Sequence, residues 1–238
     1  MPCRAPTYPR LCHCPTLRKL ASTHSLRHEA ASGAVNGRMH VQTNGLTMLA
    51  PGKLAAMVTF LVHDLRPEGT STPLPDGYFL DRLSGADLGR YREIFRRVGS
   101  EWLWFSRLRM TDEQLWEILA SRDVEALILA GPQGEAGLLE LDFRDAAAPE
   151  LAFFGLVPEA VGAGLGRALM DEALGRARAA GAKALHVHTC TLDHPKALSF
   201  YCRAGFRPVK RATEVFDDPR LDGTLPRDVA GWMPILEA

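Results

Sequence analysis

Three glycines at alternating positions could bind a phosphate-bearing group. Gly162, Gly164 and Gly166 follow an apolar run that ends at Val157, and they open a long helical pattern. Glycine allows the backbone to approach a ligand closely, and a helix N-terminus supplies free N–H groups and roughly half a positive charge. Arg167 adds a cation at the same place. The pattern predicts a pyrophosphate-binding turn, or alternatively a tight turn into a closely packed helix.

A dinucleotide-binding fold is a competing explanation of the same glycines. That fold places them in its first strand–helix–strand unit and needs an acidic residue about 20 positions later. Here the glycines lie late in the chain, after a series of predicted antiparallel strands. Their position therefore disfavours a dinucleotide-binding domain.

A second segment, residues 193–206, contains a residue that is able to donate a proton. Pro195 is placed to begin a short helix and Gly205 to end it, and Tyr201 lies between them. A phenol with a pKa of about 10 is protonated near neutral pH and can therefore donate a proton. The alternative is a tyrosine that packs in the core beside Phe206.

Acidic residues on two neighbouring predicted strands could act as general bases. Glu150 begins the strand before the glycines, and Glu140 and Asp142 lie on the preceding strand. A solvated charge at a strand edge is the alternative for each of them. His186 and His188 share one face of the following strand and could relay a proton, although such histidines are more often part of an ordinary sheet.

Three aromatic residues lie between two predicted helices and could line a substrate pocket: Trp102, Trp104 and Phe105. The neighbouring Glu101 could then contact a cationic group. Packing in the hydrophobic core is the alternative for these side chains, since large aromatic residues are highly buried on average.

Together, and in this order, these segments resemble the acetyl-coenzyme A (acetyl-CoA) site of the GNAT superfamily of N-acetyltransferases. The resemblance covers about residues 77–215 and is strongest over residues 150–206. It implies that acetyl-CoA is the co-substrate and that the strand before the glycines separates from its neighbour to bind the pantetheine arm. The cofactor-binding residues that it implies are Leu156, Val157, Gly162, Ala163, Gly164, Leu165, Gly166, Arg167 and His194. Val161 stands where the family usually has Gln or Arg, and His194 stands where it often has Asn.

The resemblance also implies roles for the residues around the thioester. Tyr201 would protonate the departing thiolate, and Glu150 would be the general base, with Glu140 as the second candidate. The amine would attack the thioester directly, within a ternary complex. The residues that would line the acceptor pocket are Trp102, Trp104 and Phe105.

The acceptor expected from this resemblance is the primary amine of a small molecule. An α-amine with a pKa of about 7.8 is roughly one-tenth neutral at pH 7, whereas a lysine-like amine near 10.4 is neutral in under about one molecule in a thousand. A lysine-like acceptor would therefore depend far more on a base. Two alternatives stay open: a protein or peptide amine, and a non-catalytic acyl-CoA-binding module that keeps the fold. A homodimer is possible, because dimers are common in the family, but the sequence does not decide the oligomeric state.

The elements that must position these residues predict a mixed α/β fold of the α+β kind. Its sheet would be mostly antiparallel, with six or seven strands and helices on both faces. The expected helices span about residues 84–98, 111–119, 164–180 and 195–205. The expected strands span residues 78–80, 124–130, 136–143, 150–157, 184–191 and 206–215, with a possible last strand at 232–236.

The charge distribution predicts a boundary between an extension and a folded domain. Residues 1–56 hold seven Lys and Arg against one acid, whereas residues 57–238 hold 21 Lys and Arg against 27 Asp and Glu, a difference of −6. We therefore expect a basic, disordered extension and linker over residues 1–76 and the acetyltransferase-like domain over residues 77–238. The basic segment resembles an organellar transit peptide, with a disordered tail or an upstream extension from a misplaced start as alternatives.

Amino-acid composition also indicates which classes of binding partner the protein is expected to lack. The mild acidity of residues 57–238 argues against a nucleic-acid partner and suits an amine. An odd number of cysteines, five, suggests reduced thiols in a cytoplasmic protein. Cys12 and Cys14 are too close together for an ordinary zinc site and have no second pair, so no metal is expected. No apolar run reaches the about 20 residues that span a bilayer, so no membrane partner is expected.

Overall fold

Seven strands and four α-helices occur in the part of the chain that the computed structural model describes, residues 44–66 and 72–237. The strands are β1 (Lys53–Asp64), β2 (Phe79–Arg82), β3 (Val124–Gly131), β4 (Gly134–Asp142), β5 (Glu150–Leu156), β6 (Ala184–Cys190) and β7 (Arg207–Asp217). The helices are α1 (Leu88–Gly99), α2 (Asp112–Leu119), α3 (Leu165–Ala179) and α4 (Ala197–Arg203). This set contains every helix that the sequence predicts.

The strands form one sheet in the order β2-β3-β4-β5-β6-β1-β7. Every neighbouring pair is antiparallel except β5 and β6, which run parallel. The expectation of a mixed, mostly antiparallel sheet is therefore confirmed. Helices α1 and α2 pack on one face and α3 and α4 on the other, and each face has its own cluster of buried apolar side chains.

The hydrophobic pattern of each helix explains which face it covers. In α3, the stripe Leu165, Leu169, Ala173 and Ala177 is at most 1% exposed, as expected for residues spaced at three to four positions. Helix α2 begins with the predicted capping box, in which Thr111 and Gln114 each accept a hydrogen bond from the backbone N–H of the other. These local signals fix the helices on both sides of the sheet.

The two central strands β5 and β6 meet at a single pair of residues. Glu150 pairs with His186, and the N–H of His186 donates to the carbonyl of Pro149 at 2.8 Å. On its other edge β5 pairs with β4 along its whole length, from Glu150 to Leu156. Because the two parallel strands diverge after their single pair, the sheet has a gap between residues 151–156 and 187–190.

The structure corrects the expected boundary after residue 76. Residues 53–64 are strand β1, which lies inside the sheet between β6 and β7. Its apolar side chains are deeply buried, with Val58 at 3% and Leu61 at 0% exposure. The basic segment, residues 1–56, therefore includes the first residues of β1. Charge alone places the start of the folded domain too late in the chain. The expectation of disorder over residues 1–43 lies outside the described residues.

Two further observations complete the fold. The possible strand at residues 232–236 is wrong, since these residues take no strand conformation; Pro234 has no N–H to contribute to a ladder. Within residues 44–66 and 72–237, the helices are all too short or too polar to cross a membrane.

Candidate active site

The glycine turn between β5 and α3 has the geometry of an anion-binding loop. Gly162 and Gly164 have φ angles of 94° and 79°, a region that side-chain-bearing residues rarely adopt. A Cβ at either position would meet no atom of the described residues within 4 Å. These glycines therefore serve the backbone conformation and leave the space above the turn open. Helix α3 begins directly after Gly164, and the first N–H groups of a helix have no acceptor within it.

Arg167 lies at the mouth of this turn and is held by a neighbour. Its Nε donates to Oδ2 of Asp171 at 3.1 Å, and the same oxygen accepts the backbone N–H of Thr72 at 3.0 Å. Burial would raise the pKa of Asp171, but these hydrogen bonds and the charge of Arg167 lower it. The Arg167 side chain remains 55% exposed, so its guanidinium is oriented and still accessible to a phosphate.

The free edge of β5 lies beside the gap, a short distance before the turn. Leu156 pairs with Gly137 of β4, and the N–H of Val157 donates to the carbonyl of Ala136 at 2.9 Å. The opposite edge of β5 faces β6, with which it makes no further pair in the described sheet after Glu150. An extended ligand could therefore bind along this edge like an added strand.

Tyr201 projects from α4 into the aromatic packing next to β5. Its ring lies 6.3 Å from that of Phe154 on β5 and 5.8 Å from those of Phe200 and Phe206, centroid to centroid. Burial, and then the charge of Asp193, raise the pKa of Tyr201. The phenol therefore stays protonated in the free protein, which is the state that a proton donor needs.

Asp193 connects several parts of the site, a role that the sequence does not reveal. Its carboxylate accepts the hydroxyl of Thr189 and the backbone N–H of Cys190, both at 2.7 Å, and the indole N–H of Trp104 at 3.1 Å. It thereby ties the end of β6 to the segment between α1 and α2. An aspartate directly after a strand and before a helix is a weak signal, which only the contact with Trp104 makes specific.

The structure removes Glu140 from the candidate bases. Its carboxylate is fully buried under α1, where it accepts hydrogen bonds at 2.5 Å from Arg107 and from the hydroxyl of Tyr91. Burial, and then the charge of Glu140, raise the pKa of Tyr91 far above its ordinary value. We refer to these three side chains as the Arg107 cluster. A carboxylate enclosed in this way cannot meet an acceptor, so the expectation of a catalytic Glu140 is wrong.

Glu150 lies at the start of the gap and contacts a histidine. Its Oε1 is 2.9 Å from Nδ1 of His188, and its side chain is 8% exposed against 39% for His188. Burial lowers the pKa of His188, but the hydrogen bond and charge of Glu150, followed by the charges of Asp193 and Glu214, raise it overall. The pKa of His186 changes in the opposite direction, because burial is the largest influence on it and lowers it below the ordinary value. The structure thus brings Glu150 together with one of the two candidate histidines.

The three aromatic residues expected in one pocket lie against different neighbours. Trp104 packs on Phe153 of β5, with ring centroids 5.3 Å apart, and Trp102 lies 5.0 Å from the ring of His194. Phe105 instead packs on Phe216 of β7. Trp104 and Trp102 therefore border the gap and the turn before α4, whereas Phe105 belongs to a separate apolar cluster near the end of the chain.

His194, the remaining predicted cofactor contact, lies in the turn between β6 and α4. Its Nδ1 accepts the backbone N–H of Lys196 at 3.1 Å, which shapes this turn. No group of three or more His, Cys, Asp or Glu side chains that could hold a metal occurs in the described ranges.

Comparisons with known proteins point in one direction. The model of the acetyltransferase (GNAT) family matches residues 93–206. Mycothiol acetyltransferase of Beutenbergia cavernae is 29% identical over 167 residues, which cover 63% of this chain and 54% of that protein. The chain therefore spans about half the length of this curated relative.

Solved structures share the fold at low sequence identity. A GCN5-related N-acetyltransferase from Sphaerobacter thermophilus aligns with a TM-score of 0.54 and 15% identity, over 68% of this chain and 52% of that one. A functionally unknown conserved protein from Staphylococcus epidermidis aligns with a TM-score of 0.50 and 12% identity, over 70% and 63% of the two chains. At such identities the likeness concerns the architecture alone.

Proposed function

Because the model of the acetyltransferase (GNAT) family matches residues 93–206, we propose that the chain is a GNAT acetyltransferase and that it transfers the acetyl group of acetyl-CoA to a primary amine of a small molecule. The observation that carries this proposal is the gap that opens after the single pair of β5 with β6, at Glu150 and His186. The glycine turn ends one side of this gap, and Tyr201 packs beside it.

Acetyl-CoA fits the open features of this region. The pantetheine arm would extend beside the free edge of β5, along the gap that ends near Leu156 and Val157. The pyrophosphate would lie over the glycine turn, where the helix N-terminus favours an anion. The residues that would hold it are Gly162, Ala163, Gly164, Leu165, Gly166 and Arg167, with His194 at the turn before α4.

The chemistry proposed is direct attack of the amine on the thioester in a ternary complex. Holding both substrates at the gap replaces a bimolecular encounter by an oriented one. Backbone N–H groups of β5 would polarise the thioester carbonyl. The Tyr201 hydroxyl, which burial keeps protonated, would donate its proton to the departing thiolate.

A small-molecule acceptor is favoured by the relative and by the charges near the gap. The relative in Beutenbergia cavernae is named for mycothiol, which is a small molecule. Glu150, Asp193 and Glu214 place negative charge around His188, and such charge attracts a cationic amine. A protein or peptide amine, or a binding module without turnover, would give different results in the test below.

Consumption of acetyl-CoA across a panel of small amines and peptides tests this function. We expect turnover with small amines and, for Tyr201→Phe, a fall in kcat of about 100-fold with unchanged affinity for acetyl-CoA. Tyr78→Phe is the matched control, since Tyr78 packs against Gly131 at the far edge of the sheet. Tight acetyl-CoA binding without turnover of any amine would contradict the enzymatic function, and turnover of peptides alone would replace the proposed acceptor.

A further inference from the structure

His188 lies on β6 at the start of the gap. It lies two residues after His186, the last residue of β6 that pairs with β5, and therefore on the same face of the strand. Across β6 it is paired with Phe60 of β1, whose ring is 5.9 Å away. Its ring thus borders the gap where the two parallel strands begin to diverge.

Glu150 and His188 differ in exposure, and the difference shows which of the two lies closer to solvent. The Glu150 side chain is 8% exposed and the His188 side chain 39%, so the carboxylate lies behind the imidazole. A molecule that enters from the gap meets the histidine first. The imidazole is nevertheless closely surrounded by protein atoms, as expected for a side chain inside a cleft.

The hydrogen bond between them fixes the tautomer of the neutral histidine. Nδ1 lies 2.9 Å from Oε1 of Glu150, and an ionised carboxylate can only accept. Nδ1 therefore carries the hydrogen and donates it, which leaves the lone pair on Nε2. Nε2 is then the basic nitrogen of the ring.

Charged groups from several elements face this imidazole. Glu150 comes from β5, Asp193 from the turn after β6, and Glu214 from β7, and all three favour its protonated form. A cation from β7, Lys210, lies on the same face, with its Nζ over the Phe60 ring at 5.8 Å. The imidazole is therefore able to hold a proton taken from a substrate.

We propose that His188 is the general base that deprotonates the acceptor amine and that Glu150 is the residue that positions it. This assignment rests on the proposed acetyltransferase function. It changes the role that the sequence suggests for Glu150, from the base itself to the partner of the base.

The proton balance of this step is as follows. Nε2 of His188 takes one proton from the ammonium group, and the neutral amine nitrogen forms a bond to the thioester carbonyl carbon. The carbon–sulfur bond then breaks, and the thiolate takes the proton of Tyr201. The nitrogen loses its surplus proton, which restores Tyr201 through solvent, and His188 releases its own proton to solvent. The products are the amide, free coenzyme A and one proton.

The first test is His188→Asn, whose side-chain amide can still donate to Glu150 but has no basic nitrogen. For a lysine-like amine of pKa about 10.4 at pH 7, we expect kcat/KM to fall about 100-fold. For an amine of pKa about 7.8, part of which is already neutral, the fall should be several-fold smaller. His63→Asn is the matched control, because His63 packs on Phe206 on the other face of the sheet, and it should keep turnover within about twofold of the wild type.

The second test is Glu150→Gln, followed by NMR titration of the His188 ring in the absence of substrate. Loss of the carboxylate should lower the pKa of His188 and move the acidic limb of kcat/KM to lower pH. A merely structural Glu150 would leave both unchanged, and that result would overturn its positioning role. Equal turnover in His188→Asn and wild type would overturn the base assignment alone. A wild type without turnover would overturn the proposed function and the catalytic role together.

Discussion

Two glutamates on adjacent strands, Glu140 and Glu150, face the same side of the sheet and have opposite surroundings. Glu140 is enclosed with Arg107 and Tyr91 beneath α1, whereas Glu150 has a partially exposed histidine at the start of the gap. The two glutamates differ in whether the side chain hydrogen-bonded to them reaches solvent. This matters because a proton can leave the active site only through a group that is in contact with solvent. A carboxylate of the first kind maintains the fold, and one of the second kind can take part in chemistry.

The Arg107 cluster shows why enclosure makes a charge structural. The side chains of Arg107 and Glu140 are both 0% exposed, so each charge depends on the other for stabilisation. The guanidinium also lies over the ring of Phe153 at 4.8 Å. Its Nε is buried without a hydrogen-bond partner in the described residues. Removing either charge would leave the other buried and uncompensated.

Arg107→Ala should have the largest effect of the substitutions that test the difference between Glu140 and Glu150. The substitution leaves the Glu140 carboxylate buried without its cation, and we expect the free energy of unfolding to fall by about 3–5 kcal/mol. Chemical denaturation monitored by tryptophan fluorescence measures this loss. Arg207→Ala, which removes an exposed ion pair with Asp64, should cost about 1 kcal/mol or less. Equal effects of the two substitutions would contradict a structural role for the cluster.

Tyr91→Phe probes the same cluster without removing a charge. It deletes the hydroxyl that donates to Glu140, and hydrogen bonds to charged groups stabilise by about 1.5–3 kcal/mol. The free energy of unfolding should fall by that amount, while acetyl-CoA affinity stays unchanged. An unchanged free energy of unfolding would mean that Arg107 alone stabilises the buried Glu140 carboxylate.

A matched pair of substitutions, Glu140→Gln and Glu150→Gln, sharpens the comparison directly. Glu140→Gln leaves Arg107 buried as an unpaired cation, whereas the amide of Glu150→Gln can still accept from His188. We expect the first change to lower the free energy of unfolding by clearly more than the second. The reverse order, measured by urea denaturation of both variants, would refute the division of roles.

The smallest expected effect is the pH dependence of the Glu150–His188 pair. Because the folded protein raises the pKa of His188, the stabilisation is complete below the unfolded pKa of about 6.5. It is lost as the pH rises through the folded value. The stability difference between wild type and His188→Asn should therefore shrink from about pH 6 to about pH 9. A difference that grows with pH would contradict the raised pKa.

The parts of the fold that the sequence predicts are those with local causes. The glycine turn requires positive φ angles at Gly162 and Gly164, and only a few residue types adopt them. The apolar stripe of α3 follows from helical spacing alone. The capping residue Thr111 likewise acts within one turn of its own helix. Each of these features is decided within a few residues of the chain.

Strand β1 and the two glutamates depend on distant residues, and there the sequence is insufficient. Val58 of β1 pairs with Cys190 and Ala212, far along the chain. Strand alternation places Glu140 on one face but does not reveal that Arg107, from the segment between α1 and α2, lies over it. The pairing of Glu150 with His188 likewise requires knowledge of which strand lies next to β5. The proposed general base is therefore harder to predict from the sequence than the proposed acetyl-CoA site.

The placement of β1 also bears on how the chain folds. This strand is synthesised before the other elements, yet its partners β6 and β7 are synthesised last. Contacts between residues so far apart in sequence slow folding, because a long loop must close before they form. During synthesis on the ribosome, the apolar side of β1 remains without its partners until β6 has emerged. We therefore expect this segment to be the part of the nascent chain most in need of a chaperone.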